Sequence, residues 1–400
     1  MSPRTSWAAL SCAALLTVTL GACATDAEDT TAATGGDECI TDFDPQADYF
    51  PDKVEVEDAE NFDITYHGSY QVLTVNEPLP GADPESYVLV RCGAPAPDLE
   101  GELASAQQLT VPVSSAYSSS TTHLPMFVEL DRTDTVTGVA GADYVSDPTI
   151  RERIDAGEVI DFRPGSTVNA EQVIAESPDV LITGGTDDPS HAKLREAGIA
   201  VVANAEWLEP TPLGRAEWIK MIGALTGGEA AATEAYAEIK ESYSEFADTV
   251  SGLEPAAVLA GNMNQGTWFM PSGSSYVGRL IADAGGTYPW ADSDGNQSLE
   301  LNFESVYAEA GQIPVWLVVN TAWETVADVV ADAPQYGELT AVRDGQVWNA
   351  SKAIGPGGGN DYWERGVTRP DLILGDLAAI LHPEAFPGHE FVFYQQLPRE

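Results

Sequence analysis

Val168-Asn169-Ala170-Glu171-Gln172-Val173-Ile174-Ala175-Glu176-Ser177-Pro178-Asp179-Val180-Leu181-Ile182 reads as a short helix followed by a buried strand. Ala170 to Ser177 has helical character, and Asp179 to Thr183 is a continuous apolar run that ends on Gly184-Gly185. The same order returns in Leu301-Asn302-Phe303-Glu304-Ser305-Val306-Tyr307, followed by the apolar run Val315-Trp316-Leu317-Val318-Val319. In both, a glutamate falls in the first helical turn, where the helix dipole favours negative charge. A helix–strand unit repeated in two halves of one chain predicts two α/β lobes.

The surrounding sequence extends each unit. Around the first, Leu109 to Val113 and Thr135 to Val139 are strand-like, a helix runs through Met126, Phe127 and Leu130, and Ser114 to Thr122 is a Ser/Thr-rich loop. His191 to Ala197 is helical and Ile199 to Ala203 is the next strand. Around the second unit, Ala256 to Ala260 and Gln346 to Asn349 are strands, and Ser275 to Ala284 and Pro370 to Leu381 are helices. Alternation at this length predicts parallel sheets covered on both faces. Between the halves, about Pro212 to Val250 carries Trp218, Ile222, Tyr236, Ile239 and Tyr243 at helical spacing, interrupted by Gly227-Gly228. The expected fold is therefore two Rossmann-like lobes, residues 105–211 and 253–400, joined by one long connecting helix over 212–252.

Residues 38–104 differ in character. Phe62 to Tyr66, Tyr70 to Val75 and Tyr87 to Arg91 are strand-like runs, which predict a small antiparallel, β-rich extension. Ahead of it, Met1 to Arg4 is basic and Trp7 to Leu20 apolar. That run is shorter than the ~20 residues of a bilayer-spanning helix, so residues 1–22 read as a signal peptide. Leu20-Gly21-Ala22-Cys23 resembles the bacterial lipobox, which implies a lipid on Cys23; the alternative is a plain secretory signal. Residues 23–37 lack large apolar side chains and read as a flexible tether. With Cys12 removed and Cys23 lipidated, Cys39 and Cys92 remain, and export favours one disulfide between them over two free buried thiols.

The chain has 63 acidic and 18 basic residues, a formal charge of −45, and 44% hydrophobic residues. It is acidic yet able to build cores, and its surface charge disfavours a nucleic-acid partner. No GxSxG or HExxH pattern occurs, and Gly355 to Gly359 lacks the Lys-Ser/Thr of a phosphate loop. No catalytic residues, and hence no enzyme, are expected.

The order of elements over residues 108–398 resembles the periplasmic binding proteins for iron-siderophore complexes and vitamin B12. So do Glu206-Trp207-Leu208-Glu209-Pro210-Thr211-Pro212 at the connector's start, and Asn360-Asp361-Tyr362-Trp363-Glu364-Arg365-Gly366 near the close. The resemblance implies a shallow ligand cleft between the lobes and an ABC permease with ATPase subunits as partner. It implies that Glu171 and Glu304 dock onto that permease. It also implies a monomer, tethered outside the cytoplasm, without a resident cofactor, whose ligand is a chelated Fe(III) complex. A corrinoid, haem, a bare metal ion and a non-transport surface role are the alternatives.

In open α/β sheets, ligands lie beyond the carboxyl ends of the strands. The loops there nominate Ser115, Tyr117 and Trp207 on the first lobe, and Trp268, Tyr276, Trp323, Tyr362, Trp363 and Arg369 on the second. Rings would bury an organic ligand's apolar rim, and Arg369 would meet an anionic chelate. Direct metal ligation is disfavoured, because of five histidines only His123 and His191 fall near first-lobe loops.

Overall fold

The computed structural model describes residues 38–163 and 168–400. The signal peptide, the tether and Cys23 lie outside the described residues.

The extension is a four-stranded sheet. Strands β1 (Phe62–His67), β2 (Tyr70–Val75) and β3 (Glu85–Arg91) pair antiparallel in sequence, and β4 (Gln107–Val111) pairs parallel to β3. The hairpin between β1 and β2 turns on Gly68, whose φ of 57° only glycine adopts freely. β4 departs from expectation: the strand assigned to the first lobe completes the extension's sheet instead. The run Gln107–Val111 has alternate buried residues, Leu109 and Val111, which any sheet with one covered face accepts. Cys39 and Cys92 form the expected disulfide.

The extension does not stand alone. Phe62, Ile64, Leu73, Tyr87 and Leu89 share one apolar core with Val136, Val180, Trp218, Ile222 and Tyr236. Two buried carboxylates fasten its segment 57–61 to the connector. Glu217 accepts the amides of Glu57, Asp58 and Ala59 at 2.6–2.8 Å. Glu209 accepts those of Glu60 and Asn61 at 2.9 Å, and the Trp218 indole N–H at 3.0 Å. The buried Lys220 donates to Glu217 at 2.7 Å and to the Glu55 carbonyl at 2.6 Å, so this charge is paired.

The first lobe's sheet comprises β5 (Ala116–Ser118), β6 (Val136–Val139), β7 (Ile160–Asp161), β8 (Val180–Thr183) and β9 (Ala200–Ala203), all parallel, in the order β7-β6-β5-β8-β9. Its central strand, β5, lies inside the stretch expected to be a Ser/Thr-rich loop. Burial on both faces overrides the weak strand signal of Ala-Tyr-Ser. Gly138 makes room, because a Cβ there would stand 2.6 Å from the Tyr117 ring.

The connector is three helical segments, Pro212–Glu217, Ile219–Thr226 and Glu229–Val250, instead of one helix. Gly227 takes a left-handed conformation, φ 70°, and its amide caps the Gly223 carbonyl, which ends the second segment.

The second lobe holds β10 (Ala256–Ala260), β11 (Asn262–Asn264), β12 (Thr267–Met270), β13 (Gly286–Thr287), β14 (Leu299–Leu301), β15 (Val315–Val318), β16 (Val347–Asn349) and β17 (Gln395–Gln396). Its main sheet, β13-β10-β15-β16-β17, is parallel except for β17. β11, β12 and β14 form a small antiparallel sheet. The architecture is thus α/β, with two parallel-sheet lobes and separate apolar cores. Among the described residues, no helix is long and apolar enough to cross a membrane.

Candidate interlobe cleft

The loop that leaves the carboxyl end of β6 meets the segment that leaves the carboxyl end of β16 between the lobes. After β6, residues 143–148 face the second lobe; after β16, residues 353–361 face the first. Ser146, Asp147 and Pro148 line a cavity of about 480 Å³ together with Ala353, Ile354, Gly355, Pro356, Asp361 and Arg365. Arg365 bonds Asp361 on its own helix, Asp361–Thr368, at 2.8 Å.

Two indoles at the seam remain open to solvent. Trp207, 37% exposed, follows β9 and donates its N–H to the Gly184 carbonyl at 3.0 Å. Trp363, 43% exposed, stands on helix Asp361–Thr368. Below them Arg215 lies 4.3 Å from the centre of the Tyr276 ring, crossing from connector to second lobe, and donates to the Trp207 carbonyl at 2.8 Å. The Tyr276 hydroxyl donates to the Gly366 carbonyl at 3.2 Å. Burial drives its phenol far above the ordinary range, so Tyr276 remains a neutral donor.

Next to this floor lies a buried polar group on the first lobe. His123 Nδ1 is 2.9 Å from Ser118 Oγ, and Thr122 Oγ1 donates to Glu206 Oε1 at 2.7 Å. His123 Nε2 stands 3.9 Å from Glu206 Oε2. Complete burial pushes the imidazole below its usual pKa and outweighs the attraction of Glu206. The Ser118–His123 and Thr122–Glu206 bonds tie down the loop after β5.

Several residues named from sequence lie elsewhere. Ser115 precedes β5, at the far end of the sheet, where its hydroxyl meets Thr137 Oγ1 at 2.6 Å. Tyr117 is in β5 itself, buried and stacked on Phe162 at 5.2 Å. Both shifts follow from the missed strand, since the loop at the cleft begins at Ser119. Trp268 and Trp323 are buried around Trp316, at centroid distances of 5.6 and 5.7 Å, and build the second lobe's core. Tyr362 is buried among Trp363, Phe393 and Tyr394. Arg369 makes a bidentate pair with Asp371, at 2.9 and 2.7 Å, and reaches Glu129 of the first lobe at 3.6 Å. Its charge is already spent on protein partners. Of the nine nominated residues, Trp207 and Trp363 are exposed beside the seam, and Tyr276 is buried beneath Arg215. Sequence reading placed Arg215 and Arg365 beside Arg369 as basic candidates for the cleft, and Arg365 is on the cavity wall; it did not nominate Ser146, Ile354 or Pro356, for which the Gly-rich run 355–359 was the available signal.

Glu171 and Glu304 are both exposed, each two residues after a capping asparagine. Asn169 accepts the Gln172 amide and Asn302 the Ser305 amide. Glu171 also pairs with Lys193. Among the described residues, no group of three or more His, Cys, Asp or Glu is arranged to hold a metal ion.

Two lobes whose strand ends converge on one seam define a two-lobed binding protein. A family model described as "Periplasmic binding protein" matches residues 115–353, and the chain belongs to that family. It is 32% identical over 249 residues to an uncharacterized lipoprotein of Methanocaldococcus jannaschii, covering 61% of this chain and 58% of the relative's length. The fold is similar to a periplasmic binding protein from Veillonella parvula, with a TM-score of 0.58, 15% identity, and coverage of 79% of this chain and 99% of the other. It is also similar to a periplasmic heme binding protein from Pseudomonas aeruginosa, with a TM-score of 0.55, 18% identity, and coverage of 72% and 99%.

Proposed function

We propose that this chain is an extracytoplasmic solute-binding lipoprotein, anchored through Cys23, that captures a chelated Fe(III) complex in the interlobe cleft and delivers it to an ABC permease. The observation that carries this reading is the pair of exposed indoles, Trp207 and Trp363, one on each side of a seam built from strand carboxyl ends. Side chains so placed cover the apolar rim of an organic chelate, while polar groups of the cavity wall orient it. Arg365, though paired with Asp361, keeps part of its guanidinium exposed at the cavity wall. Glu171 and Glu304, exposed and one to a lobe, are the surfaces we assign to permease docking.

The test is a tryptophan fluorescence titration with ferric hydroxamate, catecholate and carboxylate chelates, a corrinoid and haem. A saturable response to one ferric class, weakened in Trp207→Phe and Trp363→Phe, is expected. A response to corrinoid or haem alone would move the ligand to that class, and silence with every ligand overturns the capture reading. Charge reversal of Glu171 and Glu304 should abolish uptake and leave affinity unchanged.

A further inference from the structure

The lobes are joined directly as well as through the connector. Glu364, on helix Asp361–Thr368 of the second lobe, is 1% exposed, and its two carboxylate oxygens accept the amides of Ser146 and Asp147 of the first lobe, both at 2.9 Å. Ser146 Oγ also reaches Asp361 at 3.4 Å. Beside this contact, the strap 355–359 presses its backbone on the loop 143–146. A Cβ on Gly357 would stand 1.8 Å from the Asp143 carbonyl oxygen, and one on Gly359 1.7 Å from that of Tyr144. Only glycine allows that approach. The apolar cores on the two sides are separate clusters, and at this edge the bonds that cross the seam are polar, while the same helix also packs on Thr121–His123 and Leu124–Glu129 of the first lobe.

We propose that Glu364 and the glycine strap form a latch that holds the lobes together along one edge of the cleft and releases as a unit. Resting on the reading of the seam as a ligand cleft, this release is the motion that opens it. The chemistry suits a reversible contact. When the seam parts, the carboxylate and both amides return to water, so the charge-assisted bonds lost are largely replaced. An apolar interface of the same size would have no such compensation. The latch is specific as well, because two parallel amides meet two oxygens in one register.

Native-state hydrogen exchange on the intact protein tests this without ligand or permease, so its failure is distinguishable from failure of the transport reading. In the unaltered protein, the Ser146 and Asp147 amides should exchange through a local opening that is nearly independent of denaturant, whereas the amides of β6 and β8 follow global unfolding. Glu364→Ala and Gly359→Ala should each speed exchange over 143–148 at least tenfold and leave β6 and β8 unchanged. Exchange of 143–148 that tracks global unfolding in the unaltered protein overturns the latch, even where a variant fails to fold. Unchanged exchange in folded variants overturns it equally.

Discussion

Two places in this molecule use the same device, a buried glutamate that accepts backbone amides from a distant segment, and they differ in what surrounds it. At the clamp, Glu217 and Glu209 take five amides from the extension, Lys220 pairs with Glu217, and the whole lies over a core shared by extension, connector and first lobe. At the seam, Glu364 takes two amides, with no cation bonded to it among the described residues and with separate cores on either side. A buried carboxylate backed by continuous apolar packing is fixed; one at a polar junction can return to water.

This contrast can be broken or sharpened. The largest effect is expected from Glu217→Ala, which strands three amides and leaves Lys220 buried without its closest carboxylate. A loss of about 3–5 kcal/mol is expected in chemical denaturation. A loss below about 1 kcal/mol would mean that the clamp is not a fixed element. Glu209→Ala frees two amides and the Trp218 indole and should cost about 1–3 kcal/mol in the same measurement.

The pH dependence is smaller and has a definite sign. Burial pushes Glu364 up to about 7, with Asp361 adding to the rise, and pushes Glu229, at the start of helix Glu229–Val250, to about 7 as well. Because the folded value lies above the ordinary 4.5 of the open chain, the unfolded state ionises first as pH rises. Stability from these groups is therefore present below about 4.5, falls as pH climbs to about 7, and is level above that. Glu364→Gln and Glu229→Gln should each flatten the midpoint–pH curve between those values; a curve unaltered by either excludes both groups. The smallest effect is Trp207→Phe, which loses one exposed hydrogen bond and should shift stability by under about 1 kcal/mol.

How much was legible beforehand follows from the same physics. Helix–strand alternation, the connector's periodicity and the disulfide partners are local or compositional signals, and each appears in the structure near its expected place. β5 was not legible, because three residues in a serine-rich run carry little pattern and become a strand only when sandwiched between β6 and β8. The aromatic nominations failed for a related reason. Trp268, Trp323 and Tyr362 come close after strands in sequence, as cleft residues do, but the hairpin β11–β12 and the core around Trp316 hold the two indoles inside, and Phe393 and Tyr394 cover Tyr362.

The amino-acid order by itself determined that this chain builds two α/β lobes, a β-rich extension and a connector, because periodicity and caps act over a few residues. Only the tertiary structure decided which indoles stay exposed, that Arg369 reaches Glu129 of the other lobe, and that Glu364 bridges the lobes. The last two depend on groups more than two hundred residues apart meeting at one junction, and no local pattern encodes such a meeting.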